Sequence, residues 1–157
     1  MQVKIKKLHP DAVIPKYQSK GASGFDLHAL EDITISPGDT KLVKTGLVVA
    51  VQEGFELQVR PRSGLSLKTS LRVANSPGTV DSDFRGEVCV IMQNTDEVES
   101  SYNEFTGDTT HYNEIHIKKG DRIAQGVICP VIKVEFVEVD DLDATERGSG
   151  GYGSTGK

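Results

Sequence analysis

No apolar run in this chain approaches the roughly 20 residues a membrane-spanning helix needs, so no helical anchor is expected. The first ten residues, MQVKIKKLHP, carry charge but no apolar segment, which argues against a secretory signal. A cationic surplus is missing too: 18 Lys and Arg stand against 23 Asp and Glu, a formal net charge of −5. Nucleic-acid and anionic-membrane binding both need a basic face, so they are excluded as general functions, although a local basic pocket is not. Cysteine is scarce. Cys89 and Cys129 sit in strand-like runs and read as buried thiols of a reducing, cytoplasmic compartment rather than as a disulfide. Internal repeats are absent, and no G-x-S-x-G elbow is available to a serine hydrolase. His111, Glu114 and His116 lack the spacing of a zinc helix.

What is present is a period of two. VKIKKL (3–8), ITI (33–35), KLVKTGLVVAV (41–51), FELQVRP (55–61), EVCVIMQ (87–93), EIHIK (114–118) and VIKVEFVEV (131–139) alternate apolar with polar residues or read as buried runs, rich in β-branched side chains. SPGD, QEG, NSPG and KKGD separate them as turns. Such spacing predicts an all-β domain, a sandwich, jelly roll or barrel. At 157 residues the chain is long enough for one domain with a proper core. One short helix is expected in SGLSLKTSL (63–71), with Ser63 as its cap. Residues 94–114 are polar and acidic and read as a long excursion between strands. The glycine-rich end after residue 146 cannot order itself, because glycine loses the most backbone entropy on folding.

Several stretches carry chemistry, each beside a plainer alternative. In PRSGLS (61–66), Arg62 offers a planar fork of donors, and Ser63 and Gly64 open a helix; the arrangement suits a phosphate or is a solvated turn. In NSPGTVDSDFRGE (75–87), Asp81 and Asp83 could hold a hard cation or orient a water, or be turn residues. Phe84 is out of place on a charged turn and could floor a pocket. Asp26, set between apolar neighbours, is either paired or functional, or lies on an edge strand. Gln125 is the polar exception in an apolar strand, usually a solvent-facing position. GYGSTGK, from Gly151 to Lys157, fits a phosphate-loop pattern, but no Ser or Thr follows the lysine and no helix starts there.

In order, ASGFDLHAL (22–30), PRSGLS (61–66), GTVDSDFRGE (78–87), GDRIAQGVI (120–128) and RGSGGYGSTG (147–156) resemble the five motifs of the trimeric deoxyuridine triphosphatases (dUTPases). The resemblance spans residues 22–156. It implies a jelly-roll β domain over 1–146 with one short helix, a homotrimer, and a glycine-rich arm, 147–157, closing an active site shared between subunits. It implies hydrolysis of dUTP to dUMP and pyrophosphate, which limits uracil in DNA and supplies dUMP for thymidylate synthesis. Mg2+ would be carried mainly by the substrate phosphates, with Asp26 supporting it through water. Carried over residue by residue, Asp81 positions the water attacking the α-phosphorus. Arg62, Ser63, Gly64 and Gln125 contact phosphate, with Ser63 near the scissile bridge, so Asp81, Ser63 and Asp26 form the catalytic set. Asn75, Gly78 and Val80 belong to the hairpin that reads uracil, and Phe84 lies under the deoxyribose. In the arm, Arg147 supplies charge, Gly151 and Gly153 bring backbone N–H groups to phosphate, Tyr152 stacks on uracil, and Ser154 and Thr155 meet the terminal phosphate.

The chain departs from the family pattern in three places. Phe84 stands where Tyr is commoner, and Tyr152 where Phe or His is frequent. Residues 95–113 exceed the usual short turn; some phage-type relatives use an insert here to bind regulatory proteins, which makes a partner-binding or trimer-surface feature the expectation there, beside a plain surface loop. Two other readings compete: the same fold kept as a binding module without catalysis, and the related dCTP deaminase, against which the third motif and the glycine-rich end speak.

Overall fold

Alternation in sequence becomes pairing in the computed structural model, which describes residues 1–98, 100–102, 104–107, 109–111 and 113–151, with 100–102 and 109–111 as backbone alone. The strands are β1 (Lys4–Lys7), β2 (Phe25–His28), β3 (Ile33–Ile35), β4 (Thr40–Lys44), β5 (Leu47–Ala50), β6 (Phe55–Arg60), β7 (Leu71–Val73), β8 (Gly78–Val80), β9 (Cys89–Asn94), β10 (Ser100–Tyr102), β11 (Thr109–His111), β12 (Ile115–Ile117) and β13 (Arg122–Pro130). One helix, α1 (Ser63–Lys68), follows β6. The all-β class with one short helix is as expected. A four-stranded sheet runs β2-β13-β6-β8 and a three-stranded sheet β4-β9-β7, with two-stranded pairs β1-β5, β12-β3 and β10-β11.

The core gathers one face of each sheet. Leu27, Leu57, Val59, Ile123 and Ala124 come from the four-stranded sheet, and Val43, Leu71, Val73, Val90 and Met92 from the three-stranded one. Ile35, Val49 and Ile117 close the same cluster from the small pairs. Each large side chain buried this way contributes about 1.5–3 kcal/mol, so one continuous cluster fixes which face of every strand points inward.

β13 is the spine, paired antiparallel with β2 on one side and β6 on the other. Its register slips between Arg122 and Ala124 in a β-bulge. Ile123 and Ala124 are consequently both buried, although a regular strand would bury only one of them.

Four sequence expectations change. The run 41–51 is two strands, broken at Thr45 and Gly46. Gly46 has φ +70°, a Cβ there would lie 2.8 Å from Cβ of Ala12, and its N–H donates to Glu87 Oε1 at 2.7 Å. The excursion 94–114 is not plain loop, because β10 and β11 pair as an antiparallel hairpin within it. Its base is pinned by the fully buried Asn94, whose Nδ2 donates to the carbonyls of Ile35 at 3.1 Å and Asn113 at 2.9 Å. The helix cap is Arg62, in extended conformation and with no side-chain capping bond; Ser63 is already the first helical residue.

The fourth change is at the other end. Residues 131–139 alternate as a strand should, yet no strand assignment follows Pro130 among the described residues. Ile132 is 88% exposed, Phe136 93% and Leu142 85%. Alternation encodes a strand that is buried on one face, and among the described residues these apolar side chains are left exposed. Cys89 and Cys129 are free thiols, as expected, but half-buried rather than buried.

Candidate active site

The expected site residues fall into two groups. The first surrounds a cavity of about 250 Å³ lined by Asn75, Gly78, Val80, Asp81, Phe84 and Cys89, among others. β8 pairs with β6 through Val59↔Gly78 and Leu57↔Val80, so the sheet holds the start of this wall rigidly. Gly78 is needed for close approach: a Cβ there would meet Asn75 Nδ2 at 3.1 Å and Val59 Cβ at 3.3 Å. Beyond β8 the chain turns back, with Phe84 N–H donating to the Asp81 carbonyl at 3.2 Å. Arg85 braces the turn by donating from Nη1 to the carbonyls of Ser82 at 2.7 Å and Phe84 at 2.8 Å. Asp81 is exposed at the mouth, and Phe84 is 43% exposed beside it. At Cys89, burial pushes the thiol above its ordinary range; Glu87 adds to this and Lys44 opposes it, so the group stays protonated at neutral pH.

The second group sits where β2, β6, β13 and α1 meet. Asp26 is buried, its side chain 10% exposed, and it engages two guanidinium groups. Arg62 Nε donates to Oδ1 at 3.0 Å, and Arg122 Nη1 to Oδ2 at 3.3 Å. Arg62 Nη1 also donates to the Arg122 carbonyl at 2.9 Å. Gln125, directly across the ladder from Asp26, donates from Nε2 to the Pro61 carbonyl at 2.8 Å. Gly24 leaves room for that side chain, since a Cβ would lie 2.6 Å from Gln125 Oε1. Ser63 and Gly64 are exposed at the start of α1 beside this cluster. His28 stands opposite Arg122 in register, with its Nδ1 buried and unpartnered. Burial lowers its pKa; Asp26 works against this, while Arg122 and Arg62 lower it further.

Arg122 and His28 were not singled out in the sequence. Arg122 looks like an ordinary polar residue at a strand start, and only the register of β13 against β2 brings it to Asp26. Asp26 does lie on an edge strand, since β2 ends the four-stranded sheet, but it is not a lone acid, because its carboxylate is paired with both Arg62 and Arg122. The groups line different cavities. Arg62 and Arg122 border one with Leu65, His116 and Asp121, and neither that cavity nor the first contains members of both groups. Arg147 lies farther along, its Nε donating to the Gly150 carbonyl at 3.0 Å, and Gly151 follows. Tyr152, Gly153, Ser154 and Thr155 lie outside the described residues.

A jelly-roll β domain with an exposed carboxylate and an aromatic ring at one cavity, and a carboxylate-held arginine pair elsewhere, is a frame suited to an anionic nucleotide. A family model described as dUTPase matches residues 10–106 and 109–156. The chain belongs to the dUTPase family. It is 51% identical over 158 residues to a deoxyuridine 5'-triphosphate nucleotidohydrolase of Nautilia profundicola, covering 100% of both chains. It is 50% identical over 156 residues to the protein of that name from Helicobacter pylori strain P12, covering 99% of this chain and 97% of the relative. Among solved structures it resembles the Staphylococcus bacteriophage 80alpha dUTPase with dUPNHPP, with a TM-score of 0.88, 27% identity and 99% of each chain covered.

Proposed function

We propose that this chain hydrolyses dUTP to dUMP and pyrophosphate by attack of water on the α-phosphorus. The observation that carries the reading is the cavity whose wall combines Asn75, Gly78, Val80, Asp81 and Phe84, in a chain of the dUTPase family. A uracil base fits the hairpin that starts at Asn75, where main-chain groups are available to its edge. Phe84 offers its face to the deoxyribose and excludes a 2′-hydroxyl, so selectivity comes from lack of room as much as from attraction. Asp81 orients the attacking water; an exposed carboxylate is a weak base, so placement contributes more than proton affinity. Arg62, Gln125 and the Ser63–Gly64 turn receive the phosphates, with Ser63 at the scissile bridge, where charge develops on the leaving group.

Magnesium fits as a cation carried by the triphosphate. Among the described residues no cluster of three or more His, Cys, Asp or Glu is placed to hold a metal ion. Asp26 offers a carboxylate whose oxygens already accept from Arg62 and Arg122, which suits support through a water. Bound with the substrate, Mg2+ would offset phosphate charge. Arg62 and Arg122 remain this chain's own contribution to that neutralisation.

The assembly proposed is a homotrimer with sites shared between subunits. Two observations support it: the exposed apolar alternation over 131–142, and the separation of the nucleoside and anion groups into different cavities of one chain. The body, 1–146, then works with the arm, 147–157, whose Tyr152, Ser154 and Thr155 close over base and terminal phosphate, with Arg147 adding charge. The location proposed is the cytoplasm; no helix among the described residues is long and apolar enough to cross a membrane. A regulatory protein at the 95–113 insert is a further proposed partner.

The test is pyrophosphate release with magnesium from dUTP, dTTP, dCTP and UTP, with Asp81→Asn alongside. Turnover of dUTP alone, reduced at least about 100-fold in the variant, is expected. Turnover of no nucleotide would favour a binding module, and ammonia from dCTP would favour a deaminase.

A further inference from the structure

Gly86 has no role in anything above, yet the space over it is taken. A Cβ built there would lie 2.4 Å from Cζ of Phe84, 2.9 Å from Cε2 and 3.2 Å from Cε1. The three nearest atoms all belong to the far end of that one ring, so the ring rests on the Gly86 backbone. The main chain gives no other reason for glycine, because Gly86 is not among the residues with positive φ. Alanine would therefore fit the backbone and would restrict the unfolded chain, a stabilising change at a compatible site. What glycine provides is room for the ring. The rest of the turn is braced by the Phe84 N–H to Asp81 bond and by the Arg85 guanidinium, so a methyl at 86 displaces the ring and not the loop. Phe84 is part of the cavity wall, and a tilted ring changes the space inside it.

We infer that Gly86 is a positioning residue for the nucleoside: it seats the Phe84 ring and thereby sets the depth of the cavity beneath a 2′-deoxyribose. This rests on the dUTP reading above. Gly86 acts through Phe84 alone, so its substitution matters only while the ring is present.

The experiment is a double-substitution cycle of wild type, Gly86→Ala, Phe84→Ala and the pair, read by steady-state turnover of dUTP and by thermal melting. Gly86→Ala alone is expected to raise KM about tenfold while changing kcat less than about threefold, because overpacking acts on ground-state binding. In the Phe84→Ala background the same change is expected to alter KM less than about twofold, the coupling expected of two residues in contact. It should lower Tm when the ring is present and raise it when the ring is gone. Equal KM effects in both backgrounds, or a Tm change of the same sign in both, would overturn the inference. If Phe84→Ala is too slow for a KM, the melting signs decide. Wild-type turnover in the same assay separately tests the activity reading, since the melts report the ring seat whether or not dUTP is the substrate.

Discussion

Replacing Asp26 by Asn should cost more stability than any change at a single surface ion pair of this protein. The carboxylate is 10% exposed and accepts from Arg62 at 3.0 Å and Arg122 at 3.3 Å. Removing one partner of a buried pair costs about 3–5 kcal/mol, because the other charge stays buried without compensation. Here the penalty divides unequally. The Arg122 side chain is 49% exposed and can turn to water, so its share falls toward the roughly 0–1 kcal/mol of a surface pair. The Arg62 side chain is 25% exposed and, among the described residues, keeps its bond to the Arg122 carbonyl, so it bears most of the loss. The expected destabilisation is about 2–3 kcal/mol, a fall in Tm of about 4–12 °C at 2–4 °C per kcal/mol for a chain of this size. Denaturant and thermal unfolding should be compared at one protomer concentration, since the stability of an oligomer depends on it. Arg122→Ala serves as the control and should cost less than about 1 kcal/mol. A loss under about 0.5 kcal/mol for Asp26→Asn, or an Arg122→Ala cost equal to it, would refute the reasoning, since neither fits a carboxylate that mainly restrains Arg62.

Removal of 147–157 is expected to abolish dUTP turnover while sedimentation still gives a trimer; full activity, or a wild type that sediments as a monomer, would count against the arm and the assembly respectively. Deleting 97–111 should leave turnover and the trimer unchanged while removing any regulatory partner recovered by pull-down, and an unchanged pull-down would end the case for a partner at the insert. Asp32 has a pKa held below its ordinary value, first by the Lys119 backbone N–H and then by the Lys118 ammonium. A depressed carboxylate pKa contributes stability that is fully present above the unfolded value, about 4, and is lost as pH falls through the folded one. Asp32→Asn should therefore be slightly less stable at pH 7 and lose less on acidification below about pH 4; urea midpoints that stay parallel to wild type across that range would show the contact is not linked to folding.

Most of the sheet was legible because β-branched alternation reports a half-buried face whatever its partner is. The same logic misled at 131–139, where the alternation is real but the apolar side chains are exposed and no strand is assigned. It also joined β4 to β5, because Gly46 breaks the strand through a positive φ and the bond from its N–H to Glu87, neither of which shows in hydrophobic pattern. The insert looked like loop because its residues are polar, yet its backbone pairs, and polarity alone does not exclude backbone pairing. At the site, Phe84 and Gln125 were visible as odd residues for their positions, and Arg62 and Asp81 as candidates whose chemistry suits a phosphate or a water. Arg122 was not, since its partner is 96 residues away and set by strand register.

The bulge in β13 has a consequence for how chain length encodes chemistry. Residues three apart on a regular strand face opposite sides, so Arg122 and Gln125 could not both serve one side of the sheet. The extra residue between Arg122 and Ala124 resets the phase, and both side chains reach the Asp26 side while Ile123 and Ala124 go to the core. The strand thus behaves as two half-strands in opposite phase, spliced at one residue. A single deletion there would leave every remaining side chain unchanged and still set the downstream half out of step, so that either Gln125 or the core contacts of β13 must be given up. A substitution anywhere along β13 changes one contact; a change of length at the splice changes which contacts are possible.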